Sequence, residues 1–180
     1  DTEASDISVT SRFTKLKVLK ADRSKVENLE PLYDIKALEK LYVDQTAIHD
    51  ITAQEFLERN PNCLIIYKTN HLNRWWRSIT GHWIKVFQGQ MGKDTTATRE
   101  SLHKLVEQQS LQFKDASVND LSALSEFVRL RDLQFSGTAI TAIPALENLK
   151  SLRSLHATNS PLQNLESIRL LENLEDLDIS

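Results

Sequence analysis

Four leucines, Leu111, Leu133, Leu155 and Leu177, recur at intervals of 22 residues. Two places on from each stands another apolar side chain: Phe113, Phe135, Ala157 and Ile179. Alternating apolar positions mark one face of a strand. Farther along the unit the spacing holds for Val118, Ile140 and Leu162, for Leu121, Ile143 and Leu165, and for Leu130, Leu152 and Leu174. The first third of the chain repeats the pattern in Leu16, Leu19, Ala21, Val26 and Leu29, then in Leu38, Leu41, Val43, Ile48 and Ile51. A fixed period of this length excludes an ordinary helix or sheet. It predicts stacked coils, each giving one short parallel strand and a return segment. One coil cannot bury its own apolar face, so its neighbours do, at roughly 1.5–3 kcal/mol for each large side chain fully removed from water. A repeat solenoid is therefore expected.

Composition narrows the partners. Of 180 residues, 40% are hydrophobic and 26% charged, as in an ordinary globular chain with a real core. A net charge of −3 with no run of lysines and arginines offers no basic field, so nucleic acid is not an expected partner. The longest apolar run, at 63–67, is far too short to cross a bilayer, and no membrane insertion is expected. The single cysteine, Cys63, forms no internal disulfide and reads as a buried strand position.

The unit LRDLQFSGTAITAIPALENLKS, residues 130–151, resembles the leucine-rich repeats of internalin-like bacterial proteins, of the short 22-residue class. The resemblance extends over 9–67 and 110–180. It implies the fold class α/β, a solenoid with a parallel sheet on its concave face, an irregular or 3-10 convex side and a helical cap; it also implies a protein-binding module and allows a bacterial secreted or cell-surface location. This chain departs from the class where an asparagine is usual, carrying Thr2, Ser24, Thr46, Ala116, Thr138 and Ser160 instead. Small hydroxyls at that place are expected to bond the neighbouring backbone inside the turn.

Two segments read as covers for a stack. In ITAQEFLERNPNCLIIYKT, Thr52 and Glu55 have capping-box spacing for a helix that Asn60-Pro61 would end, followed by a last strand at 63–67. This resembles the closing segment of bacterial leucine-rich-repeat domains. In 76–109, Ile79, Trp83, Val86 and Phe87 share one helical face, and Leu102, Leu105 and Val106 another. That segment resembles a helical N-terminal cap. The expected organisation is 1–70, C-terminal-type repeats and closing cap; 71–109, helical cap; and 110–180, N-terminal-type repeats.

The closing cover thus precedes the opening one. Within the chain Leu19 and Leu177 are out of phase, yet a second chain set after Ser180 would place its Leu19 22 residues beyond Leu177. A slice through tandem domains, a circular permutation and head-to-tail stacking of chains all give this match. An extended segment 68–74 reaches about 24 Å, short of the roughly 29 Å spanned by the strand steps of the whole array. Pairing between chains is therefore expected, with Leu177, Ile179, Val18, Leu19 and Ala21 at the self-association edge and a homo-oligomer as its product.

Side chains between the buried strand leucines point to the concave face. The column there runs Gln112, Gln134, His156, Asp178, Lys20 and Tyr42, flanked by Asp132, Asp176, Asp22, Arg23, Lys40 and Asp44. A mixed, polar, partly aromatic face suits a protein or peptide ligand. Catalytic readings are weaker. Ser136, His156 and Asp178 lie on successive strands without an oxyanion loop or nucleophile turn. His156 with Asp176, Asp178 and Asp1 offers too few oxygens for calcium, and His49, His71, His82 and His103 lack ligand spacing. GQMGKD has Phe87 and Asp94 where a phosphate loop needs glycine and a hydroxyl, and reads as a turn. No enzyme, cofactor or metal is expected. Trp75, Trp76 and Trp83 read as core of the cap.

Overall fold

The computed structural model describes residues 3–92 and 96–180. They form two compact units that meet in sequence at Asn73 and Arg74, three residues beyond the boundary expected from the repeats.

In the first unit, β1 (Val18–Lys20), β2 (Lys40–Tyr42) and β3 (Leu64–Ile66) form a parallel sheet in that order. Leu19 pairs with Leu41 and Leu41 with Ile65, so the repeat columns are the ladder register. Val26, Leu29, Leu32, Leu41 and Ile65 are buried in one core. The return segments tighten into 3-10 turns at Ser8–Arg12 and Glu30–Leu32, and Lys25 N–H donates to Ala4 O to tie the first two together.

The third return segment is α1 (Asp50–Arg59). It starts before the expected capping box: His49 is the cap residue, Thr52 lies inside the helix, and no side chain caps it. Starting at Asp50 also turns Ile51 outward. That residue is 72% exposed, whereas the repeat column had placed it inside. The helix ends at Arg59, ahead of Pro61 as expected, and Phe56 and Leu57 bury its inner face.

Residues 68–74 are not an extended linker. The helix α2 (Thr69–Ser78) begins there, shortening the reach to about 1.5 Å per helical residue. The Asp44 carboxylate accepts from both the N–H (2.9 Å) and the hydroxyl of Thr69, meeting an orphan donor of the helix start from 25 residues away.

The second unit opens with helical cover. α3 (Gly81–Met91) and α4 (Arg99–Val106) bury Trp83, Phe87, Leu102, Leu105 and Val106. Thr98 and Ser101 cap α4 reciprocally. Ile79 falls outside α3, and Val86 is half-buried. Gly89 and Met91 of GQMGKD belong to α3 and Gly92 ends it at φ +70°; Lys93 and Asp94 lie outside the described residues. The tryptophans are structural: Trp75 Nε1 donates to Ala123 O (3.1 Å), and Trp83 Nε1 to Asp120 O (3.2 Å). Phe87 stacks on Phe127 (5.2 Å) and Trp83 meets Phe113 edge-on (5.0 Å), joining the cover to the repeat core.

From there β4 (Ser110–Phe113), β5 (Asp132–Ser136), β6 (Ser154–Thr158) and β7 (Asp176–Asp178) run parallel and in order. Leu111, Leu133, Leu155 and Leu177 are direct register partners. The hydroxyl column works as expected. Ser24 and Thr46 donate to Ala21 O and Val43 O (both 2.7 Å), and Thr138 and Ser160 bond each other (2.9 Å). Thr2 lies outside the described residues. A second column turns the chain after the strand in left-handed backbone: Arg23, Gln45, Gly137 and Asn159 have φ between +49° and +58°. Only Gly137 occupies it without a Cβ penalty.

Candidate functional site

In the second unit β4, β5 and β6 bury alternate residues and turn the others toward solvent. Along β5, Leu133 and Phe135 are buried while Asp132 and Gln134 are exposed. Because the register is unbroken, the outward residues stand in rows: Gln112, Gln134, His156 and Asp178 in one, Asp132, Ser154 and Asp176 beside it. His156 Nε2 lies 2.7 Å from Asp176 Oδ2. The Ser180 N–H donates to Asp178 Oδ1 (3.0 Å) and, with a smaller contribution from nearby His156, lowers the Asp178 carboxyl from its ordinary value. Gln90 Nε2 of α3 donates to Gln112 O (2.9 Å), fixing β4 beneath its exposed side chain.

The first unit differs from expectation at three positions. Tyr42 sits in its column beside Lys20, whose ammonium is 5.4 Å from the ring centre. It is only 5% exposed, however, and its register partner Ile66 is fully buried. Tyr42 is therefore a packing residue, not an accessible contact. Asp22 is committed to the turn, where Oδ1 accepts from Asp44 N–H (3.0 Å). Asp44 in turn caps α2. Arg23 projects to solvent from the left-handed turn and its N–H donates to Asp44 O (2.8 Å). Lys20 is exposed.

The residues weighed for chemistry are not assembled for it. Ser136 pairs in register with Thr158, two places from His156, and His156 bonds Asp176 rather than Asp178. Among the described residues no three of His, Cys, Asp and Glu are grouped to hold a metal ion; Asp1 lies outside them. Burial pushes the Cys63 thiol up to about 12, which keeps it protonated and unreactive. His103 is fully buried, with Nδ1 2.7 Å from Arg99 O.

A charge ladder that the repeat analysis missed runs just before the strands. Lys17 pairs with Glu39 (2.7 Å), Arg129 with Glu107 (3.0 Å) and Arg153 with Glu175 (2.9 Å), each 22 residues apart. Opposite charges at the repeat spacing were its signal.

Parallel strands at the repeat spacing, apolar columns within and 3-10 return segments define a leucine-rich-repeat fold in both units. No family model matches the chain, and no curated protein does. Among solved structures it is similar to an internalin from Listeria monocytogenes at 19% identity, over 97% of this chain and 45% of that one, with a TM-score of 0.37. Internalin C2 of the same organism is similar at 18% identity, over 96% of this chain and 66% of that one, with a TM-score of 0.40. A leucine-rich-repeat protein of Leptospira interrogans is similar at 14%, over 96% and 33%, with a TM-score of 0.32. The chain thus spans less than two thirds of each. Among the described residues no helix is long and apolar enough to cross a membrane.

Proposed function

We propose that the chain is a non-enzymatic interaction module that binds a peptide segment of a partner across the solvent face of β4–β7. The observation that carries this reading is the row Gln112, Gln134, His156 and Asp178, held in register on a sheet whose opposite face is packed into the core along β4, β5 and β6. Such side chains are presented on rigid backbone, and ordering them on binding costs little beyond their own rotamers. Size favours a peptide over a broad protein surface. Three strand steps of about 4.8 Å by five residues of about 3.3 Å give a projected area of roughly 240 Å², well under the ~800 Å² per partner of a standard protein interface. The acidic Asp132, Asp176 and Asp178 beside the amides favour hydrogen-bond donors on the ligand.

The test begins with peptides selected from a random library on the intact chain. Their affinity is then measured for a face variant, Gln112→Ala with Gln134→Ala and His156→Ala, and for a return-side variant, Asn148→Ala with Lys150→Ala and Glu172→Ala. Binding is expected to vanish in the first and persist in the second, both folded by circular dichroism. The opposite pattern overturns the reading.

A further inference from the structure

The outward row of the second unit holds two amides, one imidazole and one carboxylate: Gln112, Gln134, His156 and Asp178. Histidine is the side chain that ordinarily changes charge near neutral pH, so His156 is the member of the row that titrates there. The charged residues of the two strands flanking it are all acidic. Asp132 stands on β5, and Asp176 and Asp178 on β7, with Asp178 the direct register partner of His156. Arg153, the cation just before β6, is already paired with Glu175 at 2.9 Å. In the neighbouring row Ser154 lies between Asp132 and Asp176. A short hydroxyl thus separates two carboxylates whose strands are about 9.6 Å apart. His156 Nε2 lies 2.7 Å from Asp176 Oδ2, yet 34% of the histidine side chain and 63% of the aspartate's remain exposed. A ligand on this face reaches both.

We infer that His156 makes binding on this face pH-dependent: a peptide that presents a lysine or arginine side chain to Asp176 is held while the imidazole is neutral and released when it is protonated. The inference rests on the peptide reading above and adds to it the ligand's charge and its regulation. A neutral His156 leaves the three carboxylates to attract a cation. An imidazolium donates from Nε2 to Asp176 in a charge-assisted bond, and sets a positive charge beside the place the ligand's own must occupy. Two cations on one carboxylate, each about 2.8 Å from an oxygen, stand about 6 Å apart, and at an effective dielectric constant of about 40 their repulsion lowers affinity roughly tenfold. The direction follows from the proton. Histidine gains it as pH falls through about 6.5, so affinity falls with pH. Aspartate ordinarily titrates near about 4, below this range, and the backbone N–H of Ser180 lowers Asp178 from its ordinary value. The face therefore gains one positive charge between neutral and mildly acidic pH, at His156.

The probe is a peptide selected from a random library on the intact chain at neutral pH. The selected pool is expected to be rich in lysine and arginine, and members lacking histidine, aspartate and glutamate are used so that the ligand itself does not titrate. Calorimetric titration at constant ionic strength, at about pH 7.5 and about pH 5.5 on either side of the imidazole range, is expected to show affinity roughly five- to tenfold weaker at the lower pH, with an unchanged circular dichroism spectrum. His156→Gln, which keeps a polar group in place but cannot gain a proton, should flatten the profile. His82→Gln, on α3 and outside the row, should leave it as it was. Replacing the peptide's basic residue by glutamine should also flatten it. A pool without basic residues, equal affinity at both pH values, or a pH profile that survives His156→Gln overturns the inference and leaves the peptide reading standing. Peptides that still bind the variant Gln112→Ala with Gln134→Ala and His156→Ala overturn the peptide reading, and the inference with it.

Discussion

Leu155→Ala and Leu177→Ala remove the same atoms from the same column of the same sheet, and the structure makes their costs unequal. Leu155 is fully buried between Leu133 and Leu177. Its truncation forfeits the whole transfer free energy and leaves a cavity that the flanking strands restrict, so a loss of about 2–5 kcal/mol is expected. Leu177 is 44% exposed. Nearly half of its surface never leaves water and the space left is open to solvent, so no closed cavity forms. About 1 kcal/mol is expected, from half the transfer value of a leucine. The assay is urea unfolding at low protein concentration followed by intrinsic tryptophan fluorescence. All three tryptophans, Trp75, Trp76 and Trp83, belong to the second unit, so the signal reports the unit that carries both leucines. An unchanged slope with a shifted midpoint identifies a stability effect. Equal losses at low concentration would refute the description of β7 as an uncovered coil.

Three further outcomes follow from individual side chains. Tyr42→Ala should destabilise the first unit by about 3 kcal/mol, as for truncation of a large buried ring, measured by chemical unfolding; a loss under 1 kcal/mol would contradict its burial. Cys63, 5% exposed and with its thiol raised to about 12, should resist a thiol reagent in the native chain and react once unfolded. Gln45→Gly relieves a non-glycine residue held at φ +58°. The chain should gain about 0.5–1 kcal/mol, the left-handed penalty less the added flexibility of glycine, read as a raised unfolding midpoint.

How much of this was legible in sequence depended on whether a position's environment is set by its own repeat. The ladder register of Leu111 through Leu177 follows from the period alone, because parallel stacking makes each column its own neighbour. The hydroxyl contacts of Ser24, Thr46 and Thr138 follow for the same reason. Tyr42 failed that logic. Its column position faces outward in an open coil, yet Tyr42 and its register partner Ile66 are both buried, which the 22-residue period does not encode. Ile51 failed because α1 replaces the short return segment and changes the direction of the side chain. The start of α2 at Thr69 was missed since its cap, Asp44, lies one strand back, 25 residues away, and leaves no local signal. The charge ladder and the paired roles of Asp22 and Asp44 were readable at the 22-residue spacing, had polar columns been followed as the apolar ones were.

Under the proposed function labour is divided along β5 and β6: alternate side chains hold the stack and the others meet the ligand. The most direct measurement is a substitution series through β5 and β6, residues 132–136 and 154–158, with stability and affinity for a selected peptide recorded separately for every variant. Stability losses are expected at Leu133, Phe135, Leu155 and Ala157, and affinity losses without stability losses at Asp132, Gln134 and His156. Affinity that survives every outward substitution, or falls only where stability falls, would contradict it.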